Sequence, residues 1–196
     1  MTMFVVEKGM PGFSTGIHEK KMGIRGSSTT DLIFEDVRVP DANRLGKVGQ
    51  GWQVVMHTLN GARAGVAAQA LGIGEGALDL AMKYVQERMQ FKKKLSKFQR
   101  TQFEIADMHT KLEACKLLVY SAACKEDAYN KGDKTQNYAM DSAMAKLFCG
   151  EAASDVTRRC VQLFGGYGYI REYQVERMMR DAKITEIYEG TSEAQR

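Results

Sequence analysis

The chain has 196 residues, 44% hydrophobic and 27% charged, which suits one sizeable packed domain or one plus a fragment and argues against disorder along its whole length. Its formal net charge is +4, mixed in sign, and its one basic run, Lys92-Lys93-Lys94, has no interleaved aromatics, so no nucleic-acid surface is expected. Cys115, Cys124, Cys149 and Cys160 form no C-x-x-C pair and His18, His57 and His109 are scattered, so no metal spacing is present and the thiols read as reduced, in a cytosolic-type compartment.

Residues 1–46 read as strand and turn. Residues 2–6 are short and β-rich, and 11–16 are turn material. Residues 32–39, LIFEDVRV, are β-branched and aromatic with partial alternation, as in a strand. The apolar patch within residues 1–9 is too short for a signal peptide, and no stretch reaches membrane-spanning length. Pro11 and Pro40 are the only prolines, so nothing of that kind interrupts a helix afterwards.

From about residue 49 the pattern is helical. A first helix is expected over 50–88, rich in small residues that permit close helix approach. A second covers 98–130, with Ile105, Met108, Leu112, Cys115, Val119 and Ala122 in one apolar stripe. Residues 131–134, KGDK, end it. A third covers 136–164, with Met140, Met144, Leu147, Val156, Cys160 and Leu163 on its apolar side, and GGYG at 165–168 stops it. A fourth spans 175–188 and a fifth starts at Thr191. Long segments with short connections predict a mainly α chain, a four-helix bundle over 47–196 preceded by the end of a β section over 1–46.

Chemistry concentrates near the C-terminus. Glu189 lies between an aromatic and a glycine, where one helix ends and another begins. Gly190 can take φ > 0 and Thr191 can cap the next helix. A carboxylate facing a cavity at such a break has its pKa raised by burial and becomes a usable general base. Four residues alone better describe a helix-end glutamate in solvent. The longer string RDAKITEIYEGT, residues 180–191, closely resembles the C-terminal signature of acyl-CoA dehydrogenases.

Two further segments carry the same resemblance. Residues 87–99, ERMQFKKKLSKFQ, resemble the family motif E-R-x-x-F-G-x-x-L-x-x-x-Q. Arg88 can pair bidentately with a pyrophosphate, Phe91 offers a face for adenine, and Gln90 and Gln99 can hydrogen-bond, with Met89 and Phe98 completing the set. Lys92 stands where the family usually has glycine, so a different turn is expected. By spacing alone this stretch also reads as a charged helix C-terminus. Residues 161–168, VQLFGGYG, resemble the segment that reaches the FAD of a neighbouring subunit. Gln162, Gly165 and Gly166 match, with Leu163 and Phe164 between them. Glycines there allow close backbone approach to a phosphate or sugar.

In LNGAR, residues 59–63, Asn60 and Arg63 match positions near the CoA portion or thioester of the substrate; Arg63 alone would equally suit a bundle salt bridge. Some members carry their catalytic glutamate on this helix, where this chain has Ala62. Glu189 is therefore the candidate base. Tyr188 and Gly190 would wall the substrate. Thr191, Ser192 and Glu193 match positions near the FAD phosphates, with the Glu193 side chain turned away.

The resemblance covers essentially the whole chain, as the last part of the family's β domain plus its helical bundle. It implies FAD, a homotetramer or dimer, a short-chain (butyryl-type) acyl-CoA substrate and an electron-transferring flavoprotein as partner. It implies that Glu189 removes the α-proton while the β-hydride goes to the flavin, giving the trans-2-enoyl-CoA. The enolate would be held by the Glu189 backbone N–H and a flavin ribityl hydroxyl. No metal is implied. The expected location is the cytoplasm, or the mitochondrial matrix in a eukaryote. The family's N-terminal domain and the start of its β domain have no match here, which keeps a second reading open: a non-catalytic helical fragment, or half of a split enzyme acting only by assembly.

Overall fold

The computed structural model describes residues 1–196 and separates into two compact units, Met1–Leu59 and Asn60–Arg196. The first holds four short strands. β1 (Met3–Phe4) pairs antiparallel with β4 (Arg44–Leu45), Met3 opposite Leu45. β2 (Phe13–Thr15) pairs antiparallel with β3 (Leu32–Phe34), and the Phe13 and Phe34 rings lie 5.1 Å apart. Two expectations change here. Residues 11–16, read as turn, contain β2. The strand expected over 32–39 stops at Phe34, because Asp36 takes φ 52 and breaks the extended run. The two chains run close at Gly12, where a Cβ would collide with the Glu35 carbonyl.

Helix α1 (Gly51–Glu87) starts in this unit, its first N–H bonded to the Met1 carbonyl at 3.0 Å, and continues into the second. There it is followed by a two-stranded hairpin, β5 (Met89–Gln90) and β6 (Lys93–Lys94), then α2 (Gln99–Asn130) and α3 (Tyr138–Phe164). Cross-links in reverse order make α2 and α3 antiparallel: Glu104 meets Arg159, Lys111 meets Asp155, Cys149 bonds the Cys115 carbonyl, and Lys125 meets Asp141. Asn137 caps α3 by accepting from the Met140 N–H.

The core is built from small residues. Ala67, Ala70, Ala77 and Ala81 of α1 face Met108, Leu112 and Cys115 of α2 and Ala145, Cys149, Ala152, Ala153, Val156 and Cys160 of α3. At Gly74 the helices come so close that a Cβ would run into the Leu112 side chain. This size selection corrects the face expected for α3. Met140 and Met144 are 54% and 43% exposed, and the small residues beside them turn inward. Ala145, Cys149 and Ala152 fill that side of α3 in their place.

The fourth helix is also shorter than expected. α4 (Val175–Ala182) ends after eight residues and continues as a 3-10 turn, Lys183–Glu186, before α5 (Ser192–Gln195). The Thr185 hydroxyl donates to the Ala182 carbonyl at 2.7 Å, which suits the tighter turn. Thr185 is buried against α3 at Gly150, where a Cβ would sit 3.0 Å from the Thr185 carbonyl oxygen. The bundle is thus three long helices closed by α4 and its turn. No helix is long and apolar enough to cross a membrane.

Candidate active site

The expected site residues fall into two clusters that the fold builds separately. The first is a groove of about 560 Å³ where the end of α1 meets the end of α3. It gathers Arg88, Gln90, Gln162, Leu163, Phe164, Gly165 and Gly166 from the sequence expectations, and adds Tyr84, Leu95, Tyr167 and Ile170. Tyr84 stacks on Phe164 at 4.1 Å and its hydroxyl donates to the Phe164 carbonyl at 3.3 Å. Burial pushes the Tyr84 phenol above its ordinary pKa, so it stays a neutral donor. The Arg88 guanidinium lies 5.2 Å from the centre of the Tyr167 ring, held by a cation–π contact.

Backbone shape completes the groove. Gly165 ends α3 at φ 60, and a Cβ on Gly165 or Gly166 would meet nothing within 4 Å. Both therefore present open backbone to the groove. Gly168 is different: a Cβ there would strike the Val161 carbonyl and the Phe164 side chain, so this glycine is needed for packing.

The β5–β6 hairpin turns on two residues, Phe91 at φ 51 and Lys92 at φ 63. This is the geometry of a tight hairpin turn that glycine or asparagine usually occupies. Lys92 thus adopts the left-handed backbone itself. The turn leaves Phe91 88% exposed, edge-on to Phe98 at 6.5 Å, with Lys93 Nζ 4.1 Å from the Phe98 ring. Met89, Phe91, Phe98 and Gln99 do not line the groove. Neither do Thr191, Ser192 and Glu193.

The second cluster surrounds Glu189. This residue sits at φ 54 and Gly190 at φ 97, two consecutive left-handed residues between the 3-10 turn and α5. The Tyr188 N–H still bonds the Ile184 carbonyl at 3.1 Å, so the regular backbone ladder ends just before Glu189. The Glu189 Oε2 atom is buried and has no hydrogen-bond partner. The Nε2 amide of Gln195 donates to the carbonyls of both Glu189 and Gly190 at 3.2 Å. Lys146 Nζ donates to the Gly190 carbonyl at 2.5 Å.

Polar side chains ring this junction. The Tyr188 hydroxyl donates to Gln69 Oε1, and burial pushes its pKa up. Arg63 donates to Asn60 Oδ1 at 3.1 Å while its Nε is buried without a partner. Thr191 caps α5 by accepting from the Ala194 N–H at 3.3 Å, Ser192 is buried, and Glu193 is exposed. Glu193 is held below the usual carboxylate range by its own backbone N–H and by the Thr191 hydroxyl.

Sequence reasoning missed Gln69, Lys146 and Gln195 here, and Tyr84 and Tyr167 in the groove. Tyr84 lies one helical turn before Arg88, and Lys146 interrupts a small-residue stripe on α3; both were signals of a sort. Gln69 and Gln195 gave none.

Comparison with known proteins places the chain in a family. Residues 49–196 match the family model described as "Acyl-CoA dehydrogenase, C-terminal domain". The whole chain is 53% identical to a short-chain-specific acyl-CoA dehydrogenase of Clostridium acetobutylicum, covering 50% of that protein. Over 98% of its length it is 55% identical to an acryloyl-CoA reductase (NADH) of Anaerotignum propionicum, covering 48% of it. The butyryl-CoA dehydrogenase structure from Megasphaera elsdenii superposes with a TM-score of 0.93 at 51% identity, over 99% of this chain and 49% of that one. The chain spans about half the length of the curated relatives it matches. It belongs to the acyl-CoA dehydrogenase family.

Proposed function

We propose that this chain is the C-terminal part of an FAD-dependent acyl-CoA dehydrogenase acting on a short-chain acyl-CoA thioester. One observation carries the reading: a buried, unpartnered carboxylate oxygen on Glu189, held at a left-handed junction inside the RDAKITEIYEGT string. A buried acceptor with no donor is costly and calls for an explanation, which proton transfer from a substrate supplies at this left-handed junction.

The groove residues suit FAD. The Arg88 guanidinium and the Gln90 and Gln162 amides are donors for an anionic pyrophosphate, and the open backbone of Gly165 and Gly166 allows it close approach. FAD held there would supply the hydride acceptor for the β-carbon. Glu189 takes the α-proton at Oε2. Its backbone N–H donates to the thioester oxygen as negative charge develops there. Asn60 and Arg63 orient the CoA side of the thioester, and Tyr188 and Gly190 wall the acyl chain. Thr191 and Ser192 present the first amides of α5, and Glu193 stays in solvent. The segment bearing Gln162, Gly165 and Gly166 reaches the FAD of a neighbouring copy, and Met89, Phe91, Phe98 and Gln99 flank the groove beside Arg88. The chain works as a homo-oligomer, dimer or tetramer. The family match beginning at residue 49 supports a domain boundary at 46/47, although the compact units divide after Leu59.

The electron acceptor is an electron-transferring flavoprotein. The acryloyl-CoA reductase relative favours a second direction, saturation of an enoyl-CoA. Microscopic reversibility gives Glu189 the converse role there, proton donor to the α-carbon.

The test is anaerobic addition of butyryl-CoA to the flavin-loaded holoenzyme containing this chain. Loss of flavin absorbance is expected. A colourless preparation, or flavin that no acyl-CoA bleaches and no enoyl-CoA reoxidises, overturns the proposal.

A further inference from the structure

We propose that Lys146 is a positioning residue for Glu189: a buried ammonium on α3 that holds the carbonyl of Gly190 and so fixes the left-handed junction carrying the base. The inference rests on the reading of Glu189 as the base.

Around Lys146 the inward face of α3 carries the small residues Ser142, Ala145, Cys149 and Ala152, with the buried Tyr138 and Asp141 nearer its start. Lys146 lies in that face at 1% exposure, the largest fully buried side chain of the chain. A buried cation is tolerated where it is paired and hydrogen-bonded. The hydrogen bond goes to a backbone carbonyl, that of Gly190, 2.5 Å away and 44 residues along the chain. Its charge faces the carboxylates of Glu186, Glu189 and Glu193, with the Arg63 guanidinium as the opposing cation. Burial pulls the Lys146 pKa below its ordinary value, and those three carboxylates push it back up.

The location of that bond gives it a role. Glu189 at φ 54 is a strained position for a residue with a Cβ, and it persists only where its surroundings over-determine it. Two donors converge on the junction. Gln195 bonds the carbonyls of Glu189 and Gly190, but it belongs to α5, the next element along, and moves with the junction. Lys146 belongs to a long helix packed in the core. It therefore ties the base to the rigid frame, and Gln195 shapes the turn locally.

The test compares Lys146→Met, Lys146→Arg and Glu189→Gln in the flavin-loaded holoenzyme. Methionine keeps the buried stem and removes the donor. Two readouts are taken: hydrogen–deuterium exchange at amides 189–192, and anaerobic flavin reduction by butyryl-CoA with its Kd measured separately. For Lys146→Met we expect faster exchange at 189–192 with α3 amides unchanged. Flavin reduction should slow by about tenfold to a hundredfold, the cost of misplacing a reacting group by roughly an ångström, with Kd unchanged. Lys146→Arg, which keeps a charged donor, should recover part of both. If Lys146→Met does not fold, Lys146→Gln, whose amide is one atom too short to reach, carries the same readouts. Wild-type exchange and wild-type reduction in the donorless variant overturn the proposal, whatever Glu189→Gln does. Wild-type reduction in Glu189→Gln instead overturns the base reading, and the exchange data then decide the anchoring separately.

Discussion

Tyr84 and Phe164 stack at 4.1 Å with their planes 14° apart, and the Tyr84 hydroxyl donates to the Phe164 carbonyl. This joins the last turns of α1 and α3, which are 80 residues apart in sequence. It also sets the groove. Arg88 follows Tyr84 by one turn of α1, and Gly165 and Gly166 follow Phe164 directly. One aromatic contact therefore brings the guanidinium and the open glycine backbone to the same cavity.

Arg88→Ala should weaken FAD binding by about 1.5–3 kcal/mol, the range for a hydrogen bond to a charged group. The measurement is flavin content and titration of apoprotein in the full-length context. The substitution also removes the contact with Tyr167, so thermal stability of the apoprotein should be followed in parallel. Equal flavin affinity in wild type and variant would take Arg88 out of the cofactor site.

The long helices were legible because their ends are marked locally. Expected boundaries at 50–88 and 98–130 differ from Gly51–Glu87 and Gln99–Asn130 by one residue at most. What was hidden is set by tertiary fit. Met140 and Met144 are as apolar as Ala145 and Cys149, and only the packed core decides which of them turn inward. The β5–β6 hairpin was hidden because Phe91 and Lys92 are poor residues for a left-handed turn. In the site, the motif residues were legible through the family strings. Lys146 was marked only by its break in the small-residue stripe of α3, and Gln69 and Gln195 by nothing, because each acts on a partner distant in sequence or on a carbonyl.

Gly168→Ala should destabilise the chain. Its Cβ would meet the Val161 carbonyl and the Phe164 Cβ, and neither is the free end of a flexible side chain. Overpacking of this kind costs about 1–3 kcal/mol. The urea midpoint should fall accordingly. Gly166→Ala, whose Cβ meets nothing within 4 Å, should leave that midpoint unchanged and weaken flavin binding instead.

Asp155 gives a pH prediction. Burial acts to raise its pKa, but hydrogen bonds from Lys111 at 2.7 Å and Arg158 at 2.9 Å outweigh it and hold the carboxyl below its ordinary value. A depressed carboxylate pKa adds stability that is fully present above the unfolded-state pKa and is lost as pH falls through the folded-state one. Asp155→Asn should therefore cost about 1 kcal/mol near pH 7. The gap between variant and wild type should close as pH drops below about 4, the unfolded-state range for aspartate. Denaturant melts at pH 7 and at stepwise lower pH check this. A gap that widens in acid would mean the carboxylate is not the stabilising form.

The sharpest prediction concerns the two positions from which a glutamate is expected to reach the α-carbon. Glu189 carries the buried, unpartnered oxygen, and Ala62, on the α1 turn between Asn60 and Arg63, stands where some family members carry the base. Glu189→Gln preserves side-chain size and some hydrogen bonding, and removes proton acceptance. In the flavin-loaded full-length protein it should still bind butyryl-CoA. It should reduce flavin about a hundredfold more slowly or worse, the lower end for a positioned general base. Adding Ala62→Glu to that variant should restore part of the rate, because the new carboxylate approaches the same carbon from α1. Ala62→Glu alone places a second acid beside the first and should not raise the rate. Anaerobic stopped-flow absorbance follows all three variants. The proposal fails if Glu189→Gln bleaches its flavin at the wild-type rate. A slow single variant that Ala62→Glu cannot rescue would retain Glu189 as the base and discard the equivalence of the two positions. Rescue would mean that the geometry around the α-carbon, more than the particular loop bearing the carboxylate, sets the rate.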